Sequence, residues 1–250
     1  MALLDVDSVI VRFGGVTAVN EATLSVEGGF VTGLIGPNGA GKTTLFNVIS
    51  GIQTPASGRV SIDGADVTKT SPFQRARLGV ARTFQRLEAF GSLTVWENVL
   101  TAAEIYARWR GKTAPNARGV ADQLIERVGL GRWAKEHSDS VPTGVARLVE
   151  LARALAIEPR LLLLDEPSSG LGDEETDAFG ELLRELASEG RAVLMVEHDM
   201  DLVMSVCDQI YAFDFGHVIA HGTPKEIQAN KAVQKAYLGE LPDDEETGDA

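Results

Sequence analysis

Residues 36–43 read Gly36-Pro37-Asn38-Gly39-Ala40-Gly41-Lys42-Thr43, and they decide how the rest of the chain is read. The octet fits G-x-x-x-x-G-K-[ST], the pattern of a phosphate-binding loop. Before it, Val31 to Ile35 is a compact apolar run of strand size; after it, KTTLFNVIS (42–50) sets Leu45, Phe46 and Ile49 at helical spacing before Gly51. Strand, glycine-rich loop and helix start in that order make an anion cradle. Glycines let successive backbone N–H groups curl around phosphate oxygens, and the helix N-terminus adds partial positive charge. The stretch Gly36 to Thr43, with Thr44 behind it, is therefore the candidate nucleotide-binding segment. Lys42 is expected to reach the β- and γ-phosphates and the Thr43 hydroxyl to bind Mg²⁺.

A loop of this kind calls for an acidic magnesium partner at the end of a neighbouring strand. Leu161-Leu162-Leu163-Leu164-Asp165-Glu166 supplies one. Four leucines predict a strand buried on both faces, and Asp165 emerges at its C-terminal end, where α/β sheets place ligands. Two acids ending a buried strand need a reason to be there. Asp165 reads as the magnesium ligand and Glu166 as the base that polarises the attacking water.

Working outward, the first third reads as short strands. Asp5 to Phe13 and Ala22 to Val26 alternate in and out, punctuated by Gly14-Gly15 and Gly28-Gly29, and Arg59 to Ile62 precedes an Asp63-Gly64 turn. Residues 95–109, 118–129 and 144–157 are rich in Ala, Leu, Arg and Glu and predict helices. From Arg160 the alternation returns: strand LLLLD, a helix over 173–189, strand AVLMVE (192–197), a helix over 200–207, then IYAFDF (210–215) and HVIAHG (217–222). Strands alternating with helices predict an α/β fold with a parallel sheet covered on both faces.

Composition excludes several classes. With 23 Lys and Arg against 36 Asp and Glu, the formal net charge is −13. Six of the acids (Glu240, Asp243, Asp244, Glu245, Glu246 and Asp249) lie in residues 240–250, leaving about −7 for residues 1–239. Such a chain lacks the clustered bases that sequence-independent nucleic-acid binding needs, and it lacks a basic face for anionic lipid. The 240–250 tail reads as disordered. The single cysteine, Cys207, allows neither a disulfide framework nor a Cys-based metal site, and it reads as a small buried apolar residue. Acids rather than bases at the N-terminus argue against a signal peptide, and no apolar run reaches the ~18 residues of a membrane span. A cytoplasmic chain is the expectation.

The 123-residue interval between Lys42 and Asp165 is longer than a compact nucleotide kinase or small GTPase spends. At this point the chain resembles the ATP-binding subunits of ABC transporters, over about residues 4–239. The resemblance implies a RecA-like parallel-sheet core, an N-terminal antiparallel β subdomain and a helical subdomain at about 88–157, inserted between the phosphate loop and the Asp165 strand. Phe13, in VRFGG, sits where that family stacks an aromatic on adenine. Gln85, in ARTFQ, matches the glutamine that touches magnesium and the attacking water while facing the membrane subunits. His198, in VEHDM, matches the histidine that contacts the γ-phosphate. The family's signature, L-S-G-G-Q, aligns with Val141-Pro142-Thr143-Gly144-Val145, followed by ARLVELARAL (146–155). Pro142 removes a hydroxyl and a backbone donor. After Asp165-Glu166-Pro167, the family's usual G-L-D is here Gly170-Leu171-Gly172.

Several stretches look like one branch: FGGVTAVNEATLSV (13–26), GLIGPNGAGKTTLFNVISG (33–51), VARTFQRLEAFGSLTVWENVL (80–100) and FGHVIAHGTPKEIQANKAVQKAYLG (215–239). They are similar to the larger of the two ATP-binding subunits of branched-chain amino acid importers. The resemblance implies an ATPase bound to the cytoplasmic face of the membrane through two permease subunits. It also implies a second ATPase subunit, as homo- or heterodimer, and indirectly a solute-binding protein outside. Urea and lipopolysaccharide transporters share much of this wording and stay open as alternatives. So does a soluble, non-transport ABC ATPase, although such proteins often carry two cassettes or basic linkers and this chain has neither. The departures at Pro142 and Gly172 both fall on surfaces facing the partner, which predicts an asymmetric heterodimer with one better site.

Overall fold

The computed structural model describes residues 2–238, so the acidic tail lies outside the described residues. The chain opens with β1 (Ala2–Phe13) and β2 (Val16–Glu27), antiparallel and joined through Gly14-Gly15. β3 (Val31–Ile35) runs into the phosphate loop and α1 (Lys42–Ser50). β4 (Ser57–Ile62) and the two-residue β5 (Ala65–Asp66) return to the first pair, completing a four-stranded sheet in the order β2-β1-β4-β5. Both opening strands are longer than their alternation predicts. Register shifts between Val6 and Val11, with Ser8 (φ 49°) and Glu21 (φ 52°) in the left-handed region, break the period of two that sequence reading depends on.

Next come α2 (Pro72–Arg77) and β6 (Val80–Arg82), then α3 (Val95–Arg110), α4 (Ala117–Arg127) and α5 (Thr143–Leu155). Capping boxes fix the starts of α2 (Ser71 with Gln74) and α3 (Thr94 with Glu97), while α5 begins at Pro142 without a side-chain cap. The remainder alternates: β7 (Leu161–Asp165), α6 (Asp173–Ser188), β8 (Ala192–Val196), α7 (Met200–Val206), β9 (Gln209–Asp214), β10 (His217–Gly222), α8 (Pro224–Gln228) and α9 (Lys231–Leu238). The second sheet has six strands in the order β10-β9-β3-β8-β7-β6, parallel except for the antiparallel β9–β10 hairpin.

The central strands are apolar throughout because each has two faces to bury. Leu162, Leu164, Val193 and Met195 join the cluster formed with α3–α6, and Leu161, Leu163, Leu194 and Val196 join the one beneath β1, β2 and α1. Each fully buried leucine contributes roughly 1.5–3 kcal/mol over leaving it in water. Cys207 is buried in the helical-side cluster as expected, and burial pushes its thiol up to about 12. Among the described residues no helix is long and apolar enough to cross a membrane.

The far end of α1 is anchored by an arginine that no sequence pattern announces. Arg75, 1% exposed, donates from Nη1 to the Val48 and Ile49 carbonyls (2.5 and 2.6 Å) and from Nη2 to Val67 O (2.6 Å). It adds donors to two carbonyls of the helix's last turn, of which Val48 O also accepts from the Gly51 N–H, and brings a cation to the negative end of the helix dipole. Burial lowers its pKa to about 10.

Candidate nucleotide site

Parallel pairing brings four segments to one edge of the six-stranded sheet. The phosphate loop follows β3, Gln85 follows β6, Glu166 follows β7, and His198 follows β8. This is the carboxyl edge, where ligands of open α/β sheets bind. A cleft of about 260 Å³ opens there, lined by residues 38–44 of the loop and α1, together with Ala18, Gln85, Glu166, Val196 and His198.

The loop is tightly determined. Gly41 sits at φ 106°, and a Cβ there would come within 2.3 Å of the Ala18 carbonyl oxygen. Only glycine fits that approach of loop to β2. Lys42 opens α1 with its side chain buried and folded back, Nζ donating to Gly36 O (2.6 Å) and Pro37 O (2.9 Å). Burial lowers its pKa, opposed by the nearby Glu166 and Asp165 carboxylates. Thr43 is exposed at the helix start and Thr44 half-buried.

Opposite the loop, three side chains meet. Gln85 Nε2 donates to Glu166 Oε1 at 3.0 Å, and His198 Nε2 lies 3.2 Å from the same oxygen. Glu166 itself is held at φ 49°, uncommon for a non-glycine residue, with its N–H donating to Val196 O at 2.9 Å. A strained backbone at a cleft-facing carboxylate marks a position the surrounding fold over-determines. Sequence reading named all three residues, and the structure brings Gln85 and His198 each within hydrogen-bond reach of Glu166.

Asp165 does not face the cleft as directly. Its carboxylate, on a residue 1% exposed, pairs with Arg82 (Nη2 to Oδ2, 3.2 Å), and its N–H donates to Thr83 Oγ1. Burial raises its pKa, with the Arg82 cation working against that. Arg82 also donates to Asn47 Oδ1 (2.7 Å) and Ser50 Oγ (3.0 Å) and lies over the rings of Phe46 and Phe84. One guanidinium thus ties the end of α1, the start of the Gln85 segment and the Asp165 carboxylate together. It stood in the quoted ARTFQ stretch, and its signal was an arginine directly after two apolar strand residues.

Phe13 sits at the tip of the β1–β2 hairpin, half exposed (52%), outside the lining of this cleft. The signature-aligned segment is elsewhere again. Val141 is half-buried, Pro142 and Thr143 are exposed, and Gly144 and Val145 are buried at the start of α5. Further along that helix, Arg147 donates to the Phe84 carbonyl (2.6 Å), to the Gln85 carbonyl and to Glu150 (3.1 Å), while Glu150 accepts from the Glu88 N–H (2.6 Å). Burial raises the Glu150 pKa against these bonds. The helix behind the signature therefore grips the Gln85 segment, a link that needed spatial neighbours to be seen.

Hard oxygen donors are available for a divalent cation: the Thr43 hydroxyl, the Gln85 side-chain carbonyl and the Asp165 carboxylate. Among the described residues no group of three or more His, Cys, Asp or Glu side chains is placed to hold a metal alone. That donor set suits magnesium, which takes most of its ligands from phosphate and water.

Fold and site define a phosphate-loop protein that binds nucleotide on the edge of a parallel sheet. The chain belongs to the ABC transporter ATP-binding family: the ABC transporter family model matches residues 19–169, and the model for branched-chain amino acid ATP-binding cassette transporters matches residues 217–241. It is 39% identical to the high-affinity branched-chain amino acid transport ATP-binding protein BraF of Pseudomonas aeruginosa, over 95% of this chain and 98% of that protein. It is 38% identical to the corresponding LivG of Escherichia coli, with the same coverage. Identity to the lipopolysaccharide export system ATP-binding protein LptB of Haemophilus influenzae is 32%, over 96% of this chain and 98% of that one. Among solved structures, a nucleotide-free ATP-binding cassette from an ABC transporter superposes with TM-score 0.85 at 29% identity, covering 96% of this chain and 100% of that chain. Another cassette, in its ADP conformation, gives 0.84 at 30% with the same coverage. ATP-binding cassettes of this family work with transmembrane permease subunits.

Proposed function

We propose that the chain is the ATP-hydrolysing subunit of an importer for branched-chain or related amino acids, held at the cytoplasmic face of the membrane by two permease subunits. The observation that carries the chemistry is the meeting of Gln85 and His198 on one oxygen of Glu166, across a cleft from Lys42. Identity near 39% to amino acid transport proteins over nearly the whole chain, against 32% to a lipopolysaccharide exporter's subunit, supports the solute class.

In this reading the loop amides and Lys42 hold the β- and γ-phosphates, exchanging the Gly36 and Pro37 carbonyls for phosphate oxygens at Nζ. Phe13 stacks on adenine. Thr43, Gln85 and Asp165 would hold magnesium, which would neutralise charge on the phosphates. Glu166 takes a proton from water as its oxygen attacks the γ-phosphorus, the bond from that phosphorus to the bridging oxygen breaks, and ADP leaves with the electron pair. His198 bonds the γ-phosphate, and Gln85 orients the water. Residues 4–239 form the ATP-binding unit, with the helical subdomain at about 88–157.

Two subunits enclose two ATP molecules, each between one phosphate loop and the other subunit's signature segment, and closing them moves the permeases. A groove of about 300 Å³ bordered by Ile52, Arg82, Phe84 and Ala102, with exposed Phe73, Leu87 and Phe90 among the nearby segments, supports docking of the permeases on this side. Pro142 and Gly172 favour pairing with a different ATPase subunit, whose own signature completes the better site. A solute-binding protein outside the membrane presents the amino acid.

Co-purification and reconstitution test this. Pulled from its native membrane, the chain is expected to bring two polytopic proteins and a second short ATPase, and the assembly in vesicles to take up leucine only with ATP. Copurification with no membrane protein defeats the transport reading. A chain that is fully active alone as a symmetric homodimer, and indifferent to Pro142→Ser, defeats the asymmetric one.

A further inference from the structure

Glu197 plays no part in the mechanism above, yet it lies between two of its moving parts. Its carboxylate sits on a residue 3% exposed and accepts from three neutral donors: Ser168 N–H (2.8 Å), Ser168 Oγ (2.7 Å) and the His198 N–H (2.9 Å). A buried carboxylate without a cation is costly unless fully hydrogen-bonded, and here the bonds come from two separate loops. One is the turn that carries His198 after β8. The other is the 167–172 segment after β7.

Each loop touches something else. On the first, the His198 ring reaches Glu166 at 3.2 Å, beside the phosphate loop. On the second, Gly170 presses against the start of α5: a Cβ at Gly144 would meet the Gly170 carbonyl oxygen at 2.6 Å, and one at Gly170 would lie 3.0 Å from Thr143 Cβ. The two backbones lie so close that neither glycine leaves room for a methyl group, so a shift of the 167–172 segment toward α5 must displace Thr143–Gly144 or be resisted by it. The path from Glu166 through His198, Glu197, Ser168 and Gly170 to Thr143 is continuous within one chain. It runs from the chain's own γ-phosphate position to the segment it offers to its partner's nucleotide.

We infer that Glu197 is a positioning residue that makes the His198 turn and the 167–172 segment move as one body, so that a γ-phosphate in this chain's site shifts Thr143–Gly144. The inference rests on the nucleotide reading above. It assigns the carboxylate a reason to be an acceptor only. Glutamine at 197 keeps the shape but turns an NH₂ group toward an N–H, and one of the two loops loses its bond.

The test reads the signature segment directly. Thr143→Cys in the full-length chain takes a maleimide fluorophore selectively, since Cys207 is buried and its thiol is pushed up to about 12. Emission is compared with MgADP and with the magnesium complex of the non-hydrolysable ATP analogue AMP-PNP, at a dilution where light scattering finds single chains. With Glu197 intact, the two nucleotides are expected to give different emission. In Glu197→Gln that difference falls at least about five-fold, while affinity for MgADP, read with a fluorescent ADP, stays within about threefold. Ser168→Ala, which keeps both N–H bonds, is expected to lose about half of the difference and decides the matter if the glutamine variant does not fold. An undiminished difference in variants that bind nucleotide overturns the inference, as does the absence of any difference in the parent. A parent that binds neither nucleotide overturns the nucleotide reading instead.

Discussion

Glu166→Gln is expected to lower the rate of ATP hydrolysis by about 10²-fold or more, in line with the loss of a positioned general base, while leaving ATP binding close to that of the parent. Glutamine keeps the length of the side chain and an oxygen that can still accept from Gln85 Nε2 and His198 Nε2, the two donors now 3.0 and 3.2 Å from Oε1. It loses only the capacity to take a proton from water. Geometry survives and chemistry does not, which is why the loss belongs in turnover and not in affinity. Phosphate release measured beside equilibrium binding of a fluorescent ATP separates the two. Unchanged hydrolysis would show that Glu166 is not the base, and a parallel collapse of binding would mean that the carboxylate shapes the cleft.

The second large effect concerns stability. Arg82→Met removes the only cation paired with Asp165 among the described residues and leaves a carboxylate on a side chain 2% exposed. Breaking a buried pair from one side typically costs about 3–5 kcal/mol, because the remaining charge has neither water nor partner. Arg82 also closes hydrogen bonds to Asn47 and Ser50, so the end of α1 is freed at the same time. For a chain of this size the loss corresponds to a fall in Tm of roughly 6–20 °C. Replacing both partners, Arg82→Met with Asp165→Leu, is expected to recover much of that stability while hydrolysis stays lost. Thermal unfolding of the parent and the two variants checks it. A single variant within two degrees of the parent would mean that Asp165 is solvated or protonated without its partner.

The fold was legible wherever one local pattern had one cause. LLLLD reads as a strand buried on both faces because an apolar run of strand length has two faces to cover, and the helices expected over 95–109 and 144–157 from their Ala, Leu, Arg and Glu content, and over 173–189 from the alternation of elements, form over Val95–Arg110, Thr143–Leu155 and Asp173–Ser188. Short elements were not legible: β6 is three residues, and its pairing with Leu161–Leu163 gives it identity. The C-terminal helices α8 and α9 were missed too, although Thr223-Pro224 with Glu226 makes a capping box that a residue-by-residue reading would have found. In the site, Glu166, Gln85 and His198 were each named from sequence. What escaped was the set of polar residues behind them. Arg82, Arg147, Glu150 and Glu197 take their meaning from partners dozens of residues away, and a linear pattern carries no trace of such a pairing.

The helical insertion leaves from β6 and returns on β7, adjacent parallel strands in register from Val80–Leu161 to Arg82–Leu163. Departure and return points are thereby fixed by backbone hydrogen bonds within the sheet, independent of how long or how shaped the excursion is. Gln85 stands three residues past one strand and Glu166 one residue past the other, so the sheet sets where both begin, and Arg147 on the insertion then clasps the Phe84 and Gln85 carbonyls. Such a chain can vary the outward face of the excursion and leave its chemistry in place, provided the Arg147 clasp on the Gln85 segment is kept.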